Sequence, residues 1–262
     1  MSSRPSSFEA RLFLLREMVV RDIRARYAGS SLGILWAFAQ PLLWMALFTA
    51  VFGFILRAPL EQGFANFPEF LMAGLLPWMA FHEGVSRSAT ALTDNASMVK
   101  KTVFPLETLV LSVVLAAVVN EIIALAIYAV FVGFLGHLSA PWLLLAVPAL
   151  LAQVVLTFGL GCLVATLTTF VRDTAQVLGI GLTVLFYATP IVYPASLVPA
   201  SFRPVLRANP LTHLTEWYRS AFTLHTLPPA ASVLFVVACA AVSAALGMAL
   251  FARARPHFAD VI

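Results

Sequence analysis

The sequence predicts an all-α integral membrane protein: six transmembrane helices, an N-terminal amphipathic interface helix, and short re-entrant helices between spans five and six. Three observations carry that prediction. Of 262 residues, 61% are hydrophobic and 11% charged, with a mean hydropathy of +0.94, whereas soluble domains are about half apolar and about a quarter charged. Apolar stretches near the roughly 20 residues needed to cross a bilayer recur along the whole chain. Strand-like alternation of apolar and polar residues is absent, which argues against a β-barrel.

The chain divides into an interface helix (1–31), a transmembrane domain (32–251) and a tail (252–262). In the first part, Phe8, Leu12, Leu15, Val19 and Ile23 recur at spacings of three and four and form one apolar stripe. Arg11, Glu17, Arg21 and Arg24 lie mostly away from it. This describes a helix lying on a membrane surface with its arginines near lipid phosphates; the plainer alternative is a basic patch that only fixes orientation. Gly29, Ser30 and Ser31 then form a bend into the first span. No cleavable signal is evident, because the first apolar run begins behind about thirty mostly polar or amphipathic residues.

The six spans are Leu32–Leu56, Phe67–Thr90, Leu106–Leu135, Trp142–Phe170, Val177–Tyr193 and Ala230–Phe251. The first carries Trp36, Gln40 and Pro41; the fifth is short and holds Gly179, Gly181 and Pro190. An even number of spans puts both termini on one side. Of the 16 Lys and Arg residues, only Arg57, Arg203, Arg207 and Arg219 fall on the other side, so the termini are expected in the cytoplasm. The same distribution assigns the net charge of +4 to topology and not to nucleic acid. Cys162 and Cys239 lie in apolar stretches and read as packing residues.

Between spans five and six, "YATPIVYP" and "NPLTHLTEWYRSAF" enclose a loop too apolar for a simple hairpin. Asn209 followed by Pro210 reads as an N-cap and first helical residue, with Leu211, Leu214, Tyr218 and Phe222 on one face. Broken helices at membrane depth must be covered by protein or line a cavity, which favours re-entrant elements over a surface amphipathic helix.

The chain lacks nucleotide-binding and HExxH motifs and any metal-spaced Cys/His set, so ATP, if used, is bound by another subunit. No paired broken helices mark an inverted repeat, which argues against a secondary transporter. Ser86, Thr90, Thr93 and Ser97 recur at three and four residues and could line a wet path or join helices. Glu83 and Arg87 are spaced to pair, and Glu121, deep in span three, has Arg87 as its one suggested partner. Aromatic rings gather in spans one, two and five: Trp36, Phe38, Trp44, Phe48, Trp78, Phe81, Phe186, Tyr187 and Tyr193. Rings at span ends read as an interfacial belt. Trp44 and Phe48 lie deeper, one turn apart, and would suit either lipid packing or stacking against sugar rings.

"RDIRARYAGSSLGILWAFAQPLLWMALFTAVF", "NASMVKKTVFP", "RDTAQVLGIGLTVLFYATPIVYP" and "NPLTHLTEWYRSAF" resemble the type-2 ABC transporter permeases that export polysaccharides, a group that includes O-antigen, capsule and teichoic-acid exporters. The resemblance runs from Phe8 to about Phe251. It implies a homodimer of six-span subunits in the bacterial inner membrane, with ATP and Mg bound by two separate ATPase subunits and no cofactor in this chain. Carried onto this sequence, Trp36, Trp44, Phe48, Trp78, Phe81, Phe186, Tyr187 and Tyr193 would line a channel for a lipid-linked glycan. Arg21, Arg24, Arg26, Asn95, Met98, Lys100 and Lys101 would meet the ATPases, and Pro190, Pro194, Asn209, Pro210, Trp217 and Tyr218 would form an outer gate. His82, Glu83 and Glu121 are not part of that pattern. A permease for drugs or simple lipids, or a membrane enzyme acting on lipid-linked sugars, are the other readings.

Overall fold

The computed structural model describes residues 7–27, 33–57, 60, 63–64, 66–100 and 104–262; the expected bend at Gly29–Ser31 and the expected contact residue Lys101 lie outside them. Nearly all the described chain is helical, and it contains no strand. In chain order the helices are α1 (Ser7–Tyr27), α2 (Trp36–Phe48), α3 (Phe67–Thr90), α4 (Ala96–Val99), α5 (Glu107–Phe134), α6 (Ala140–Leu143), α7 (Ala146–Phe170), α8 (Thr174–Tyr187), α9 (Arg203–Ala208), α10 (Pro210–Arg219), α11 (Ala230–Ala254) and α12 (Phe258–Val261). Among the described residues, four helical stretches are long and apolar enough to cross a membrane: Trp36–Ile55, Glu107–Phe134, Ala140–Phe170 and Ala230–Val261. α3 is as long, but His82, Glu83 and Arg87 interrupt its apolar run, and α8 has only 14 residues.

Local chemistry sets the ends. Asn66 caps α3 by accepting from the Glu69 amide at 3.0 Å, with Pro68 in the first turn, where no intrahelical donor is needed. Asn209 caps α10 in the same way, through the Leu211 amide at 3.0 Å and Pro210. α2 ends in a wide π-helical turn, Thr49–Ile55, closed by the Leu56 amide on the Val51 carbonyl at 2.8 Å. The expected fifth span, Val177–Tyr193, is corrected: the helix starts earlier, at Thr174, and stops at Tyr187. Pro190 and Pro194 disfavour helical backbone before them, and Ala188–Pro194 leaves the helix as turns.

α3 is the hub. It packs against α5, α7, α8 and α10, and most of its side chains are buried. The largest helix–helix contact joins α7 to α11. There Gly159 and Gly247 face each other, and a Cβ on either would overlap the backbone of the other helix. Gly84 and Gly161 make room for side chains where α3, α5 and α7 meet: a Cβ on Gly84 would lie 2.6 Å from Thr157 Cγ2, and one on Gly161 2.7 Å from Ser88 Oγ. Small residues that let backbones approach closely are how apolar helices associate when lipid offers no hydrophobic incentive.

A second apolar core gathers Met18 of α1, Ala91, Leu92 and Val99 of the α3–α5 connection, Leu109 and Val113 of α5, and Phe251 and Phe258. The face of α1 that packs on the protein is centred on Met18 and Asp22, whose carboxylate accepts from Ser112 Oγ at 3.0 Å. The stripe expected to lie on a membrane surface is rotated away from this core; Leu15, Val19 and Ile23 are half-buried and Leu12 is exposed. The tail is likewise folded down. Phe258 is fully buried against Phe170 and Phe251, and Arg255 pairs with Glu107 at 3.5 Å while donating to the Phe104 carbonyl.

Candidate functional site

A cavity of about 840 Å³ opens between the end of α1, α2, α3 and α8. Its floor is one face of α3, on which Leu75, Trp78, Met79, His82, Glu83, Ser86 and Arg87 follow at helical spacing over about 18 Å. α2 contributes Gln40, Trp44 and Phe48 at successive turns, and α8 contributes Leu182, Thr183, Phe186 and Tyr187. The α2 and α3 walls grade in the same direction. Apolar and aromatic side chains occupy one end; Arg26, Gln40, His82, Glu83, Ser86 and Arg87 occupy the end beside α1.

The rings form two series, one on each side of the cavity. Trp44 stacks on Phe48 with centroids 5.5 Å apart, and the series continues through Phe52 (5.9 Å) to Phe67 (5.8 Å). On the opposite wall Trp78 meets Phe186 at 5.5 Å, and Phe186 meets Tyr187 edge-on at 5.2 Å. Of the rings expected in a channel, Trp44, Phe48, Trp78, Phe186 and Tyr187 line this cavity. Trp36 points elsewhere and is exposed, Phe81 is buried in the core, and Tyr193 donates its hydroxyl to the Tyr187 carbonyl at 2.6 Å.

At the polar end, Arg26 of α1 donates from its Nη1 to both oxygens of the Glu83 carboxylate, and Arg87 approaches Oε1 of the same carboxylate at 3.5 Å. Arg26 also reaches Gln40 Oε1 at 3.5 Å, so one guanidinium links α1, α2 and α3. Spacing pairs Glu83 with Arg87 and puts Ser86 on a possible wet path, and Gln40 stands out in the first span, but nothing in the sequence marks Thr183 for this wall. The signal for the α3 part of the wall is the helical face shared by positions 75, 79, 82, 83, 86 and 87.

Among the residues expected to meet a motor subunit, Arg21, Asn95 and Met98 are brought together: Arg21 donates to Asn95 Oδ1 at 3.1 Å and lies 3.9 Å from the Met98 sulfur. Arg24 and Lys100 are exposed nearby on the same elements. The stretch read as one polar stripe is broken, because α3 ends at Thr90; Thr90 and Thr93 hydrogen-bond locally, to Asp94 at 2.8 Å and to the Thr90 carbonyl at 3.0 Å.

The segment after α8 is pinned to the core. Arg219, 97% buried, stacks 3.8 Å over Phe70 and donates to the carbonyls of Pro190 (2.9 Å) and Ile191 (3.3 Å). Asn209 Nδ2 donates to Thr189 Oγ1 at 2.8 Å. Pro194 is buried in the same segment, and Trp217 and Tyr218 are core residues, alongside Leu211, Leu214 and Phe222. The suggested Glu121–Arg87 pairing is corrected: Glu121 is buried and accepts from Gln153 Nε2 at 2.8 Å, which also donates to the Pro77 carbonyl at 3.1 Å. Helical geometry explains the error, since Arg87 lies ten residues beyond Pro77 along α3, on the cavity face.

A family profile described as ABC-2 type transporter matches residues 14–223 of this chain. The chain is similar to the O-antigen export system permease protein RfbA of Myxococcus xanthus, 32% identical over 251 residues, and to a protein of that name from Klebsiella pneumoniae, 30% identical over 254; each alignment covers 95% of both chains. It is also similar to the polysialic acid transport protein KpsM of Escherichia coli, 25% identical over 260 residues and covering 94% of this chain and 95% of the relative.

Proposed function

Because the chain belongs to the ABC-2 type transporter family, we propose that it is the permease subunit of an ATP-driven exporter that moves a lipid-linked, O-antigen-like polysaccharide across the bacterial cytoplasmic membrane. The observation that carries this reading is the cavity: a long groove with flat aromatic walls and a polar end. Sugar rings present apolar C–H faces that stack on such walls while their hydroxyls stay hydrated.

In this reading two copies of the chain work with two ATPase subunits, which hold ATP and Mg; no covalent chemistry and no cofactor belong to this chain. Each copy crosses the membrane six times, with α3 and α8 as the second and fifth spans and both termini in the cytoplasm. The charge distribution supports that orientation. α1 is the interface helix. Its exposed Arg24, the Arg21–Asn95–Met98 contact, Lys100 and Lys101 form the surface that an ATPase pushes. The segment from Ala188 to Leu224, held by Arg219 and Asn209, supplies the re-entrant elements and the outer gate at Pro190, Pro194, Asn209, Pro210, Trp217 and Tyr218. ATP binding favours the state in which the motor subunits close, and the differential binding energy shifts the permease between shut and open channels.

The test is depletion of the protein from growing cells, with extraction of the lipid-linked glycans. Accumulation of one such glycan on the cytoplasmic face is the expected result. Unchanged glycan pools, with a simple lipid or drug retained instead, would replace the polysaccharide with a small amphiphile.

A further inference from the structure

Outside the aromatic groove, two further cavities flank α10. One, of about 230 Å³, is walled by Arg203, Arg207 and Thr212; the other, of about 260 Å³, by Phe64, Leu224, Thr226 and Ser232. Ala195, His213 and Glu216 belong to both linings, so the cavities are two lobes of one cleft. The pattern of α10 accounts for the shared wall. Leu211, Leu214, Trp217 and Tyr218 are in the core, and His213 and Glu216, three residues apart, share the half-buried face. The neutral His213 ring is engaged at both nitrogens: Nε2 donates to the Arg207 carbonyl at 2.9 Å, and Nδ1 accepts from the Ser232 hydroxyl at 3.1 Å. One imidazole thereby ties α9, α10 and α11 around the cleft.

Two features of the first lobe point to a ligand. Arg203 and Arg207 are exposed one turn apart on α9, where like charges repel. They run against the charge rule that sets the orientation, and neither pairs with a carboxylate among the described residues. Arg203 makes only a long bond, 3.4 Å, to the Val198 carbonyl. Thr212, in the same lining, is 4% exposed, and its hydroxyl has no partner among the described residues.

We infer that this cleft binds an acidic sugar on the face that the proposed orientation puts outside the membrane. A ring bearing one carboxylate occupies the arginine lobe, and its neutral neighbour occupies the hydroxyl lobe. Charge selects the carboxylate: two guanidiniums and Glu216 leave the first lobe at +1, which a single carboxylate neutralises and a doubly charged phosphate overshoots. Guanidinium forks also match the two oxygens of a carboxylate. Glu216 and Ser232 accept from sugar hydroxyls, while Leu224 and Phe64 give an apolar surface on which the C–H face of a ring rests. The inference rests on the proposed function and narrows its substrate to glycans that carry a sugar acid. The cleft shares no lining residue with the aromatic groove, and it meets the glycan only after the membrane has been crossed.

The experiment uses the purified full-length protein in nanodiscs of neutral lipid, with binding read by saturation-transfer NMR. The probes are a disaccharide of glucuronic acid and glucose, and the neutral disaccharide in which the carboxyl is reduced to the alcohol. The acidic probe should bind at least about tenfold tighter than the neutral one, as hydrogen bonds to a charged group require. Arg207→Gln should abolish that preference without weakening the neutral probe, and Arg207→Lys should restore only part of it. Thr212→Val should weaken both probes several-fold, and Trp44→Ala should leave the preference in place. Equal binding of the two probes, binding of neither, or an unaltered preference in Arg207→Gln with an unchanged melting temperature would overturn the site. A preference lost in Trp44→Ala but kept in Arg207→Gln would also overturn it, by putting the sugar in the aromatic groove. So would displacement of the acidic probe by an equal concentration of short-chain phosphatidylglycerol, because the arginines would then be reading lipid headgroups. Any of these results, with depletion still trapping a lipid-linked glycan, would sink this inference and leave the proposed function standing.

Discussion

The seam between α7 and α11 and the gap between α2 and α8 are opposite solutions to placing apolar helices side by side. At the seam, glycines bring two backbones into contact, and no side chain separates Gly159 from Gly247. At the gap, Trp44, Phe48, Trp78 and Phe186 hold α2 and α8 apart over α3 and leave about 840 Å³ between them. Small residues make a contact that has one solution; large rings make a surface that a ligand can replace. One half of the molecule is thus frame and the other working surface. The α3–α7–α11 packing is closed by backbone approach, while the α2 and α8 walls are held by side chains that remain partly exposed.

The strongest test of that division is at the seam. Gly247→Leu must push α11 away from α7, and overpacking of this kind costs about 3 kcal/mol or more. The gain in helix propensity on replacing glycine, about 1 kcal/mol, does not offset it. The melting temperature of the detergent-solubilised protein should fall by many degrees or the protein should fail to accumulate. A wild-type melting temperature would show that the seam can open and is not frame. Next in size is Gln153→Leu, which strips Glu121 of its 2.8 Å donor and leaves a buried carboxyl unsatisfied, at about 2 kcal/mol. Pairing it with Glu121→Leu should recover much of the loss; additive losses would mean that the two residues do not act as a pair.

Much of this was legible beforehand. The apolar stretches place the long helices to within a few residues, and Asn209–Pro210 marks the start of α10 because capping is local chemistry. The stacked pair Trp44–Phe48 follows from their spacing of one turn. What was not legible depends on partners distant in the chain. Gly159 and Gly247 carry almost no hydropathy signal, and only the facing helix makes them critical. The buried face of α1 includes Asp22, a charged residue, because Ser112 on α5 supplies its hydrogen bond. Glu83 and Arg87 could be paired by spacing, but the third member, Arg26, is 57 residues away from Glu83.

The working surface should respond differently from the frame. Trp44 is 37% exposed, so Trp44→Ala should cost no more than about 1 kcal/mol of stability, far less than truncating a buried ring. Export of a lipid-linked glycan should nevertheless drop sharply, whereas Trp36→Ala, outside the cavity lining, should leave it near normal. Equal export defects in the two variants would mean that the rings serve lipid packing, and intact export of a small amphiphile by Trp44→Ala would favour the simpler substrate.

The smallest effect on stability should come from Arg21→Ala. Its contacts to Asn95 at 3.1 Å and to Asp22 at 3.4 Å are near the surface, and its side chain keeps 42% of its exposure. Exposed pairs of this kind contribute about 0.5 kcal/mol or less. The contact nonetheless joins α1 to the turn between α3 and α5, two elements that otherwise meet through apolar packing around Met18 and Met98. If this is where a motor subunit pushes, Arg21→Ala should leave the melting temperature within about a degree of wild type. ATP hydrolysis by the assembled complex should then continue while export per ATP falls. Export and hydrolysis falling together would place Arg21 in assembly and not in coupling. A full loss of folding would move this contact from the working surface to the frame, and the division between the two would have to be redrawn through α1.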